Sequence, residues 1–447
     1  MLRIVYSSDS AQVQVSPLVQ PIFLPTKLWL WKEETQTATP FPLPEDALDP
    51  HLSSDRRLIA FQRVRENGEM EIWVVDTKGC HARKLASVTL DEAIQRYVQN
   101  GLDLVYVDLG WGPGTHMIVY HIQACCGVGD DGTYAQTTLV DAETGNVIDV
   151  LPPGEPHWLA YAPDGSQIAA LTHDELRVYD TQDGQLQFSI PVSLKFGGGG
   201  HWYSPDGQYI LVLSSAGFTG VNAANGTWRE IPLAYEYFGG CGDAVPPPPN
   251  ITWIDEASFF MLVSNFEQGG NGIDECNFLF VDPTVTFTVW RIDLAQGAAR
   301  PVNTFTGSLP SAVFSPDRQR LAFGRLQNGG ESWEFQLVDV TSGRLLHTIA
   351  NKPDGFLWNP DSTRFRYTPG NFDEQSYVEL YLGQIGEEPR LLGKVAYTGS
   401  PPLDWVDADR LLVFDSGGLQ LLSIDGEDIR ITRGPQDWGG FIFYLGD

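Results

Sequence analysis

Carboxylates are the residues from which this chain would have to draw its chemistry. Asp164, Asp206, Asp317 and Asp361 recur in one setting, each directly after a proline. Acids converging on a common cleft could supply the general acid and base of a glycoside hydrolase or a lyase. The same spacing has a plainer meaning. Proline presets its own φ, aspartate accepts hydrogen bonds from its own backbone, and a following Gly165 or Gly207 tolerates positive φ. The four aspartates are therefore expected to hold turns.

Other groups raise a metal question. Cys125 and Cys126 precede Asp130 and Asp131 in a glycine-rich stretch, and Asp243 and Asp274-Glu275-Cys276 stand in two further polar stretches. Ca²⁺ is the ion these acids would suit, but they lack the spaced oxygen donors of a calcium loop, so no cofactor is expected. The eight histidines form no H-E-x-x-H or comparable zinc spacing. No G-x-S-x-G nucleophile elbow is present, and Gly197–Gly200 lacks the lysine and helix of a phosphate loop. Five cysteines make no disulfide framework. Cys241 and Cys276 fall near one predicted junction and could bridge in an oxidising compartment; unpaired thiols are the alternative.

Composition narrows the partners. The 447 residues carry 28 basic and 57 acidic side chains, a net charge of −29, and no Lys/Arg cluster in the sequence. Nucleic acid is excluded as an expected partner, because phosphate neutralisation dominates that affinity. No apolar run is long enough to span a bilayer as a helix, and Met1–Tyr6 enters a strand pattern with no signal-peptide architecture before it.

The elements that must position these residues are hairpins. His201-Trp202-Tyr203 runs into Ser204-Pro205-Asp206-Gly207 and leaves as Tyr209–Leu213, which reads as two strands around a tight turn. Copies surround Asp164, Asp317 and Asp361, with looser ones at Asp55, Asp255 and Asp407. They recur roughly every 40 to 60 residues, the spacing of propellers and other arrays. A third strand ending in Asp, a turn and a fourth strand follow, as in Leu176–Asp180 before Asp183-Gly184 and Phe335–Asp339 before Thr341-Ser342-Gly343. The unit is a four-stranded antiparallel blade. One helical pattern interrupts it, over Leu90–Asn100.

This repeat resembles the TolB-like, WD40-like β-propeller repeat and is similar to the propeller of dipeptidyl-peptidase-type enzymes, without their peptidase domain. The resemblance implies an all-β fold and a single β-propeller domain over 1–447. Counting units gives about nine blades, eight being the main alternative. They lie near 2–44 plus 438–447, 46–87, 103–152, 155–192, 199–233, 250–305, 309–350, 353–396 and 399–434. The first lacks an innermost strand, which the C-terminal segment Gly440–Leu445 is expected to supply. The resemblance also implies an extracytoplasmic (periplasmic or secreted) location, with the targeting segment absent from this chain; a cytoplasmic one is the alternative.

Loop length carries the functional expectation. The long insertions Asp9–Lys27, Ser87–Gly101, Ala124–Thr133, Ala234–Asn250 and Ser264–Thr286 all fall at second-to-third-strand or blade-to-blade connections, while the other turns are short. Long loops in compact folds usually carry function. A noncatalytic module that binds or scaffolds a protein or glycan partner follows, with Phe23, Trp111, Cys125, Cys126, Asp130, Asp131, Tyr237, Asp243, Asp274 and Glu275 as candidate binding-face residues. The alternative is a hydrolase or lyase acting on carbohydrate or peptide at the channel mouth. The sequence gives no signal for an oligomeric state.

Overall fold

The computed structural model describes residues 3–8, 27–41, 43–44, 47–65, 69–78, 81–88, 104–112, 116–125, 134–149, 158–172, 174–192, 200–214, 217–233, 251–264, 284–308, 311–327, 332–350, 353–369, 377–396, 404–415, 418–432 and 442–445. There is no helix among the described residues, and Leu90–Asn100 lies outside them.

Turn chemistry sets the strand boundaries. The Ser204 hydroxyl donates to Asp206 Oδ1 at 2.6 Å and accepts from Tyr209 N at 2.9 Å; Gln208 N donates to the same carboxylate oxygen at 3.0 Å. The carboxylate thus satisfies backbone that the reversal leaves bare. Ser315 with Asp317 and Ser53 with Asp55 repeat the arrangement. Asp164 and Asp361 accept from the backbone two residues on, both at 2.9 Å. The proline-aspartate series is structural, as its turn chemistry predicted. The third-to-fourth-strand turns use a second aspartate: Asp141, Asp180 and Asp339 each accept backbone N–H groups just beyond them.

Nine four-stranded antiparallel sheets result, each with its strands in a meander. Blade 1 comprises Arg3–Ser8, Lys27–Lys32 and Thr37–Pro40 with Ile442–Leu445 as its innermost strand. Arg3 stands opposite Leu445 and Tyr6 opposite Ile442, so the C-terminal segment completes the N-terminal blade. Blade 2 comprises Leu48–Leu52, Leu58–Val64, Met70–Asp76 and Arg83–Ser87. Blade 3 follows with Leu104–Trp111, Met117–Cys125, Tyr134–Asp141 and Val147–Asp149. The first strands of blades 4 to 9 are Trp158–Tyr161, Gly200–Tyr203, Ile251–Trp253, Val313–Phe314, Pro353–Trp358 and Asp404–Trp405. The class is all-β with propeller blades, and the described residues form nine of them.

Two compact units divide the chain. One comprises Met1–Lys195, Gly199–Arg229 and Gln436–Asp447, the other Phe196–Gly198 and Glu230–Pro435. Within each, blades pack face to face. Ile59 and Phe61 of blade 2 join a cluster with Leu30 and Phe41, whereas Ala60 and Ile72 join Leu109, Ile118 and Tyr120 of blade 3. Successive residues of one strand are thus buried on opposite faces, which is why the second strands are almost continuously apolar. The second unit repeats this with larger rings: Phe260 and Phe287 with Phe314 and Phe323, then Phe335 with Trp358 and Phe365.

A recurrent tie joins neighbours. The last residue of an innermost strand is often tryptophan, whose indole N–H donates to a carbonyl of the preceding blade. Trp111 reaches His51 O at 2.8 Å, Trp358 reaches Val313 O at 3.3 Å and Trp405 reaches Leu357 O at 3.5 Å. Each acceptor is the penultimate residue of the preceding blade's innermost strand. Fourth-strand side chains make a second set: Arg83 donates to Ala142 O, Asn303 to Val340 O and Arg390 to Ile424 O.

Candidate functional site

An antiparallel meander has two unlike ends. The first-to-second and third-to-fourth turns share one; the second-to-third connection shares the other with the entry and exit of the chain. At the first end the turns are short and their carboxylates are spent on their own backbone. The long insertions all depart from the second. Segments 9–26, 126–133 and 265–283 join second to third strands of blades 1, 3 and 6 with Ile442–Leu445 taken as the first strand of blade 1, while 89–103 and 234–250 join successive blades.

Phe23, Cys126, Asp130, Asp131, Tyr237, Cys241, Asp243, Asp274, Glu275 and Cys276 lie outside the described residues. Cys125 ends its strand opposite Leu104, at the insertion end of blade 3. Trp111 stands opposite Ile118 at the short-turn end, half-buried against the cluster between blades 2 and 3 and bonded to His51 O.

The insertion end of blade 2 gathers ionic groups that strand register brings together. Arg63 is opposite Glu71, and Trp73 lies opposite both Phe61 and Lys84. Paired residues share a face, so these side chains converge although the sequence scatters them. Glu71 is 4% exposed. Its carboxylate accepts from Lys84 Nζ at 2.7 Å, Trp73 Nε1 at 2.8 Å and Arg65 Nε at 2.7 Å. Burial pushes this carboxyl up, and the bonds from Lys84, Trp73 and Arg65 more than offset it, holding it down at about 2. Glu71 raises Lys84 in turn, chiefly through their hydrogen bond. The guanidinium carbons of Arg63 and Arg65 lie 4.8 and 5.8 Å from the Trp73 ring centroid, within cation–π range.

The opposite face of the same blade carries a second polar group. The innermost strand bulges between Leu48 and His51, and inside the bulge Asp49 has a φ of 46°. Blade 8 has the same irregularity between Asp354 and Leu357, where the left-handed residue is Gly355, φ 54°. Blade 2 keeps a side chain where glycine fits more easily. Asp49 as a residue is 2% exposed. It pairs with His51 Nε2 at 2.8 Å and accepts from Gln62 Nε2 at 3.3 Å, while Trp111 fixes the His51 carbonyl from blade 3. A buried carboxylate orienting an imidazole is a device for hydrogen-bonding a ligand or moving a proton.

No cluster of three or more His, Cys, Asp or Glu side chains able to hold a metal ion occurs among the described residues. His116, at the short-turn end, stands 3.8 Å from Asp55 Oδ2 and 3.7 Å from Glu143 Oε1, beyond hydrogen-bond length. The Glu71 and Asp49 groups escaped sequence reasoning because register and bulge, not spacing, assemble them. An Arg-x-Arg facing a Glu-x-Trp was the one available signal, legible only once the hairpin register is known.

Neither protein-family profiles nor curated proteins give a match to this chain. Solved structures do, at the level of fold. The chain is similar to a eukaryotic initiation factor at 14% identity and a TM-score of 0.43, covering 89% of this chain and 96% of that one. It is similar to an oligogalacturonate lyase in complex with manganese at 12% identity and 0.39, covering 86% and 91%. TolB from Acinetobacter baumannii aligns at 14% and 0.28, over 73% of this chain and 76% of that chain.

Proposed function

We propose that this chain is a noncatalytic TolB-like propeller module that binds or scaffolds a protein or glycan partner in an extracytoplasmic compartment. One observation carries the reading. The long insertions depart from one end of their blades, and the opposite end is closed by short turns whose carboxylates bond their own backbone. A surface that spends its polar groups internally has few left for a partner, whereas long connections are where recognition is usually placed. The ionic group around Glu71 in blade 2 lies near that insertion end.

An array of glycans and peptides probed with the whole chain tests this. Two variants separate the ends: one with residues 234–250 and 265–283 each replaced by a short Gly/Ser connection, the other carrying D206N and D317N. Binding should fall at least tenfold in the first and persist in the second. The opposite pattern sinks the proposal. Turnover of any array member by the whole chain would favour a propeller hydrolase or lyase instead.

A further inference from the structure

Most described arginines are occupied by the fold: Arg83 and Arg390 bond carbonyls of the following blade, and Arg364 and Arg410 bond carboxylates. Arg65 differs. Its Nε is fixed on buried Glu71 at 2.7 Å, and no other bond or ion pair of its guanidinium occurs among the described residues. The side chain is 41% exposed. With Nε tied and the plane over Trp73, the outer Nη edge is left as an oriented fork. Such a fork matches the two oxygens of a carboxylate, and fixing it beforehand removes much of the ordering cost of binding.

The support beneath Arg65 is itself held. Glu71 stays ionised over any working pH because its carboxyl lies at about 2, and Lys84 and the Trp73 indole fix its other lone pairs. Arg63 and Lys84 add charge, so three cations face Glu71 and the half-exposed Glu69. The chain's −29 charge opposes an anion only weakly here, since physiological salt screens exposed charges beyond about 8 Å. Arg63 and Arg65 both lie over the Trp73 ring and Phe61 stacks beside it at 6.4 Å. Among the described residues the Trp73 ring is thus left with no open face for a sugar ring, so the arrangement favours a peptide carboxylate over a uronate.

We propose that Arg65, positioned by Glu71, is a docking point for the Asp or Glu carboxylate of an acidic peptide segment on a protein partner. The inference rests on the partner-binding reading and narrows it to one chemistry. Fluorescence anisotropy with labelled hexaglutamate tests it at 50 and 200 mM NaCl, with trigalacturonate as competitor. The whole chain should bind hexaglutamate, more weakly at the higher salt. R65A should lose at least tenfold and R65K, which keeps the charge without the fork, about threefold or more. R364A, at the short-turn end, should change nothing; melting temperatures confirm folding, and R65K serves if R65A does not fold. Absence of binding by the whole chain, binding by R65A and R65K as tight as that of the whole chain, or tighter binding of trigalacturonate than of peptide overturns the assignment. Insertion-dependent array binding that ignores R65K would sink this inference while leaving the partner-binding reading intact.

Discussion

Asp49 holds a conformation that glycine takes in blade 8, and its side chain keeps it there. A residue with a Cβ loses roughly 1–2 kcal/mol in the left-handed region, while each hydrogen bond returns about 0.5–1.5 kcal/mol net. The bonds to His51 and Gln62 therefore offset the strain. D49A should be less stable than D49G by about 1 kcal/mol, because both lose the bonds but only alanine keeps the left-handed strain; urea midpoints decide it, and equal midpoints contradict the strain argument. Glu71 makes a pH prediction. Its folded carboxyl is depressed to about 2, below the roughly 4.3 of an unfolded chain, so its stabilisation is complete above about 4.3 and is lost as pH falls through about 2. E71Q should cost about 1–3 kcal/mol at neutral pH and flatten the acid limb of the stability profile over that window. An unchanged acid limb would show that Glu71 does not govern it.

Blades act as elements through close approach and through ties to neighbours. A Cβ on Gly383 would sit 2.1 Å from Phe365 Cε2 and 2.2 Å from its Cζ, and Phe365 is completely buried between blades 7 and 8. G383A should therefore cost about 1–3 kcal/mol or more by overpacking. G110A, where nothing lies within 4 Å, should be near neutral, and thermal melts compare the two. W358F removes the inter-blade hydrogen bond to Val313 O together with part of a buried ring packed on Phe356 and Phe365, and should cost more than the about 0.5–1.5 kcal/mol of the bond alone. The outer strands show a further regularity. Register shifts between third and fourth strands recur at Ile72/Trp73, Val178/Tyr179, Val289/Trp290, Leu337/Val338 and Leu380/Tyr381. Such bulges twist an edge strand away from ready pairing with another chain.

Across the whole molecule, legibility followed locality. The Ser-Pro-Asp turns, the nine-fold repeat and the pairing of the last strand with the first blade were readable because each is encoded within a dozen residues or by recurrence. Trp111 shows the limit: a lone aromatic in sequence, it is an inter-blade tie in space, although aromatic residues closing the innermost strands at Tyr161, Tyr203, Trp253, Phe314, Trp358 and Trp405 were a signal for it. The Asp49 bulge and the Glu71 group depend on register between strands, which residue order alone does not state. Because Ile442–Leu445 supplies the innermost strand of blade 1, truncation after Trp438 should leave Arg3–Ser8 as an open edge. Light scattering and thermal melts should show a lower melting temperature and self-association. A variant as stable and monodisperse as the whole chain would contradict that pairing.

Hydrogen–deuterium exchange with an array-identified ligand tests the central claim most directly, since it reports which blade ends a partner covers. The account predicts slowed exchange over 62–65, 69–72, 122–125 and 134–136, the strand ends at the insertion end of blades 2 and 3. Slowing confined to the proline-aspartate turns at 204–208 and 315–319 would contradict it.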